Sequence, residues 1–315
     1  YGVRAANGVV IITTKKGTKN QKAQITYDGY IGFQKATNVL EMANSQEYAT
    51  MLMEANYDAY SPTMKAAIDR FGGSYADSDF HKWTYGADTD WYKELLRTAV
   101  ITNHSVGISG GSDKATYSLG ISYLYQDGVM DTENNYKRLN FRAAVDYDAT
   151  NWLKVGFNGV FSKSDQVLPN NAAWREAFNT PGIIPVFDEQ NTQAFPDKYA
   201  TPNSIGLSTN FKNPVATAKY YDAKNEMRQY MTNFYAQINL LPQKLNFKTN
   251  ISYNFQDING SVFTPTYYVS DSQQSNTTNL NKSNSQYSSY IWDNTLTYKD
   301  SYGKHNFGAM LGASM

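Results

Sequence analysis

Alternation constrains this chain more than any other feature. From Leu245 to Gln256, the residues Leu245, Phe247, Thr249, Ile251, Tyr253 and Phe255 fall on one face of an extended strand, while Asn246, Lys248, Asn250, Ser252, Asn254 and Gln256 fall on the other. A period of two belongs to a β-strand whose faces meet different surroundings. Similar runs occupy positions 24 to 34, 103 to 109, 115 to 125, 139 to 147, 153 to 162, 230 to 240 and 289 to 298, with a shorter one from His305 into Ala313. The reading is therefore nine strands of an antiparallel, all-β fold.

Alternation alone fits a soluble sandwich as well as a membrane barrel, because either can carry one wet face. The connections discriminate. Those at 110–114, 148–152, 241–244 and 299–304 are short, whereas those at 35–102, 126–138, 163–229 and 257–288 are longer, three of them far beyond a hairpin loop. Short turns on one rim and long loops on the other characterise bacterial outer-membrane barrels. Charge placement agrees: Asp28, Arg142, Asp146, Lys154, Lys248 and Asp293 all lie on the polar faces, and Asn294 is the one awkward residue on an apolar face.

Composition excludes several alternatives. Lys plus Arg and Asp plus Glu each number 28, so no net positive field favours nucleic acid. The absence of Cys removes disulfides, thiolate-ligated zinc and thiol catalysis. The longest clean aliphatic run, Val9 to Ile12, is far too short for a spanning helix. With 26 Tyr, 15 Phe and 5 Trp beside a mean hydropathy of −0.57, the chain is aromatic and polar at once, as two-faced strands require.

The long connections carry helix signals. Asn44 and Glu47 form a capping-box pattern for a helix through Tyr57, and Ser61 with Pro62 opens a second that Gly72 closes. Asp90 caps a third from Trp91 to Arg97, and Asn171 begins a fourth through Phe178.

Few residues are spaced for chemistry. His81, His104 and His305 have no metal-ligand spacing, and Asp77, Asp79, Asp88 and Asp90 lack the glycine and terminal glutamate of an EF-hand loop. Phosphate loops and nucleophile elbows are absent, and adjacent carboxylates such as Asp188 and Glu189 do not establish the separation glycoside hydrolysis needs. No enzyme, metal or cofactor is expected. Binding is expected of loop aromatics, with Trp174, Tyr199, Tyr267 and Tyr268 as candidates for stacking on a substrate, and of Lys154, Asn158, Asn246, Asn250 and Asn254 along a polar lumen.

At the start, Tyr1-Gly2-Val3-Arg4-Ala5-Ala6-Asn7-Gly8 and the short strand Val9 to Thr14 resemble the segment that closes the plug in SusC/RagA-type TonB-linked outer-membrane proteins of Bacteroidetes. The resemblance continues through Tyr27-Asp28-Gly29-Tyr30, Thr89-Asp90-Trp91, Ser109-Gly110-Gly111-Ser112 and Trp152-Leu153-Lys154-Val155-Gly156, and is dense to about Ser164. It implies that residues 1–18 end a plug domain and that 19–315 begin a TonB-dependent receptor β-barrel, about nine of roughly 22 strands. It further implies an outer-membrane location and TonB-driven nutrient uptake of a glycan (oligosaccharide) or peptide substrate, in contact with outer-membrane lipid. A SusD-like surface lipoprotein would act as lid, and TonB would engage through a segment before Tyr1. A non-transporting barrel or adhesin, and a secreted glycan-binding sandwich, remain the alternatives.

Overall fold

Residues 17–76, 79–242 and 244–315 are described in a computed structural model of the chain. The plug-end motif Tyr1, Gly2, Arg4, Ala5, Ala6, Asn7 and Gly8 lies outside the described residues, as do the strand expected at Val9 to Thr14 and Asp77 of the acidic loop.

All nine expected strands form and pair in chain order. They are β1 (Gln24–Gln34), β4 (Ala99–Gly111), β5 (Ala115–Asp127), β6 (Asn135–Asp148), β7 (Leu153–Leu168), β8 (Asp222–Leu241), β9 (Leu245–Thr264), β12 (Asn279–Tyr302) and β13 (His305–Ser314). Every neighbouring pair is antiparallel. Two small hairpins stand apart from this sheet: β2 (Gly73–Ala76) with β3 (Asp79–Tyr85), and β10 (Tyr267–Ser270) with β11 (Gln273–Ser275).

The turn rim is built locally. Ser112 Oγ accepts hydrogen bonds from the backbone N–H groups of Lys114 and Ala115, closing β4 onto β5. Gly303, at φ +61°, supplies the left-handed residue of the two-residue turn joining β12 to β13. The incoming segment is tied to this same rim: Asn20 N–H donates to the Ser112 carbonyl, and Lys19 pairs with Asp148.

On the opposite rim the strands overrun their expected limits, and β12 reaches 24 residues. The long connections there fold together. They carry α1 (Ser45–Ala55), α2 (Tyr57–Phe71), α3 (Trp91–Leu95), α4 (Ala172–Asn179), a 3-10 turn (Pro202–Ile205) and α5 (Pro214–Lys219). The main core cluster lies in these connections, where Met53, Met64, Trp91, Leu95, Ile183, Ile184 and Ala218 pack together. Burying each large aliphatic side chain contributes about 1.5–3 kcal/mol. Arg70 of α2 donates to Asp188 at 2.6 Å and joins the first long connection to the third.

Three helix expectations change in detail. Asn44 and Glu47 do form the capping box of α1, but α2 begins at Tyr57 rather than Pro62, because the Asn56 side chain already accepts from Ala59 N–H. α3 stops at Leu95, short of Arg97. α4 gains no side-chain cap from Asn171; the Asn170 carboxamide oxygen takes the Ala172 N–H instead.

Candidate functional site

Antiparallel pairing places hydrogen-bonded partners on the same face, so the register maps both faces of the wall. One face is apolar. On β5 it presents Tyr117, Leu119, Ile121, Tyr123 and Tyr125, and on β12 Tyr290, Trp292, Asn294, Leu296 and Tyr298. Each run is bounded by Tyr at both ends. Many of these side chains are exposed in the isolated wall, and Ile25 on edge strand β1 is 74% exposed. A continuous apolar patch of this size on a monomeric surface marks contact with another phase or partner.

The band shifts between strands. From Tyr125, partners run through Lys137, Asp165, Glu226 and Asn259 to Asn284 on β12, yet the upper tyrosine of β12 is Tyr290, six residues nearer the short turns. From Tyr117 the partners run through Val145, Phe157, Phe234 and Ile251 to Trp292, and the lower tyrosine is Tyr298, again six residues on. The band keeps its width and is sheared. Six residues are ~20 Å along a strand and five strand spacings ~24 Å across, so a level band requires strands tilted by about 40°. Its height is then roughly 20–25 Å, close to the apolar belt of outer-membrane barrels.

At the upper boundary the chemistry changes in one step. Phe161, Tyr230 and Phe255 are paired partners, with ring centroids 5.0 and 6.0 Å apart. The next partners outward on the same face are Lys163, Arg228 and Asp257. Lys163 lies 3.5 Å from Glu226, which Arg228 also contacts at 2.5 Å. Asn294, awkward in the sequence, sits inside the band between Thr249 and Ala313.

The second face carries the six expected charges and the amides. Near the short turns, Asp146 is largely buried, accepts from the Tyr235 hydroxyl at 2.5 Å and lies 4.0 Å from Lys154. Lys248 sits 4.8 Å over the Tyr235 ring. Higher up, Asn233 donates to Asn250 at 2.7 Å and to Ser252 at 2.8 Å. A shallow groove of about 350 Å³ is lined by Arg142, Asn158, Asn233 and Asn254, but also by Val160, Met231 and Ile291. These apolar members were not anticipated, since each breaks its strand's alternation singly.

The loop aromatics take different positions. Tyr199 is 3% exposed, stacked 4.9 Å from Phe187, and its hydroxyl pKa is pushed up to about 12 by burial and by Asp197. Tyr267 stacks on Tyr220 at 4.5 Å. Tyr268 donates to Asp271 at 2.9 Å. Trp174 packs partly against the main core cluster, tilted 6.1 Å from Tyr92, and also lines a cavity of about 670 Å³ between the strand tops and α4, beside Gln34, Gln126, Asn134 and Tyr136. Those four neighbours come from separate strands and loops, so no local motif announces them.

Asp88 accepts from Ser45 N–H and Asp90 from Lys93 N–H, which gives both carboxylates structural partners. Among the described residues, no group of three or more His, Asp or Glu is placed to hold a metal ion. His104 lies on the apolar face, 2.7 Å from the Tyr27 hydroxyl.

The sheared band, the amide-rich opposite face and the one-sided loops define an antiparallel barrel-wall protein. Comparison narrows the class. No family model matches the chain. It is 27% identical over 332 aligned positions to TonB-dependent receptor P3 of Formosa agariphila, covering 100% of this chain and 29% of that protein. It is 29% identical over 218 positions to TonB-dependent receptor SusC of Bacteroides thetaiotaomicron, covering 68% of this chain and 19% of that protein. A solved structure of the RagAB peptide transporter superposes with a TM-score of 0.78 at 23% identity, covering 100% of this chain and 37% of that one. The chain is thus SusC/RagA-like, similar to a segment of TonB-dependent receptors, and it spans less than a third of the length of these curated relatives. They are named as receptors, not enzymes.

Proposed function

We propose that this chain is part of the wall of a TonB-dependent importer in the bacterial outer membrane, taking up an oligosaccharide or peptide as the barrel component of a SusCD-like complex. The single observation that supports this most is the sheared band, because a level apolar belt crossing strands tilted by about 40° is what a bilayer imposes on a barrel. In this reading the short turns face the periplasm and the folded loops face outward. Residues 1–18 close the plug and 19–315 open the barrel, in keeping with the ties of Lys19 and Asn20 to the turn rim. A SusD-like lipoprotein covers the folded loops, TonB pulls on the plug, and Trp174 with its cavity meets incoming substrate. The amide-rich face lines the passage.

The test is a pair of substitutions on adjacent residues in the full-length receptor. Ile251→Lys, near the middle of the band on β9, places a cation against lipid at a cost of about 2–4 kcal/mol, whereas Asn250→Lys puts the same cation on the wet face. Folded protein in the outer-membrane fraction should fall sharply for the first and much less for the second. Equal tolerance would contradict the face assignment.

A further inference from the structure

Above the aromatic row, β8, β9 and β12 remain paired as far as Asp222, Phe263 and Leu280, well beyond the apolar band. From Tyr290 to Leu280 the overhang is ~33 Å of strand, or roughly 25 Å of height at the tilt derived above. On the outward face of β9 and β12 it presents Asp257, Asn259 and Ser261 beside Gln286, Asn284 and Lys282. This surface is organised: Asp257 accepts hydrogen bonds from Asn259, Asn284 and Gln286 at 2.9, 2.9 and 3.1 Å, and Asn284 also donates to Asn259 at 2.9 Å. Asn259, Ser261, Lys282 and Asn284 line a depression of about 460 Å³.

We propose that this outward overhang binds the sugar headgroups of an outer-leaflet glycolipid. The inference rests on the membrane reading of the band. The surface continues the lipid-facing band upward, so its lateral neighbours at that height are lipid headgroups rather than acyl chains. Fixed amides and hydroxyls offer donors and acceptors side by side, as a polyhydroxylated headgroup requires, and on the adjoining strands the two cations Lys163 and Arg228 are balanced by the two carboxylates Asp165 and Glu226 through the Lys163–Asp165, Lys163–Glu226 and Arg228–Glu226 pairs. A surface made for phosphate alone would instead leave cations in excess.

The experiment places the full-length receptor in phospholipid nanodiscs with equal amounts of lipid A and rough lipopolysaccharide bearing core sugars, and measures retained lipid by native mass spectrometry. Core-bearing lipid should be retained about tenfold over lipid A. Asn259→Ala with Asn284→Ala, and separately Lys282→Gln, should lower that ratio toward one without changing retention of phospholipid. Equal retention of the two glycolipids by the unaltered receptor, or an unchanged ratio in both variants, overturns the proposal. Failure to insert into nanodiscs at all would instead overturn the membrane reading, so the two outcomes are distinguishable.

Discussion

Tyr235 on β8 covers Gly156 on β7: a β-carbon at residue 156 would come 2.1 Å from Tyr235 Cε1 and 2.7 Å from Asp146 Oδ1. The glycine opens a slot in the wet face, the ring fills it, and the hydroxyl reaches Asp146. Gly156→Ala should therefore destabilise the folded wall by about 1–3 kcal/mol through overpacking against the ring. The change would be read as a lower unfolding temperature in detergent, and Tyr235→Ala in the same chain should recover part of it by vacating the slot.

Arg70 and Asp188 hold the first and third loops together at 2.6 Å, with the Asp188 side chain only 3% exposed. Removing one partner leaves a buried charge uncompensated, at a cost of about 3–5 kcal/mol. Arg70→Gln should expose the loops to limited proteolysis while β4 to β9 stay protected. Arg70→Met with Asp188→Leu should be considerably less damaging than either single change.

Glu176 on α4 is buried, its Oε2 has no hydrogen-bond partner among the described residues, and desolvation raises its pKa while Thr217 and Lys212 oppose the rise. A carboxyl whose folded pKa exceeds its unfolded one favours folding most in the protonated form. That contribution is present below the ordinary carboxylate range of about 4.3 and is lost as pH rises through the raised folded value. The melting temperature of the loop region should fall across that window, and Glu176→Gln should flatten the dependence and raise stability at neutral pH. A Gln variant with the parental pH profile would show that Glu176 is not the group responsible.

The wall was legible because its two faces differ in chemistry, so Leu245 to Gln256 announces a strand without any partner. The overhang was not. At Asp257, Asn259, Gln286 and Asn284 both faces are polar, and a period of two has nothing to contrast, so β9 and β12 read short by several residues. In the loops, the strong Asn44 and Asp90 caps were readable. α5 was missed although Asn213 followed by Pro214 is an N-cap signature, because a helix of six residues leaves no periodicity to find. Tyr199 illustrates the limit for sites: an aromatic on a long loop looks available to a ligand, but whether it packs inward depends on distant partners such as Phe187 and Tyr220.

The central claim is that the band is level only if the strands tilt, and Tyr125 with Asn284 tests it most directly. They lie on one line of hydrogen-bonded partners across β5 to β12. These 315 residues contain no cysteine, so Tyr125→Cys and Asn284→Cys each introduce a unique spin-label site within the segment, once any cysteine elsewhere in the full-length receptor has been replaced. In bilayers, the label at 125 should collide with oxygen dissolved in lipid, and the label at 284 with a water-soluble nickel relaxant. Equal accessibility of the two labels to both relaxants would place that line of partners at one depth and contradict the account.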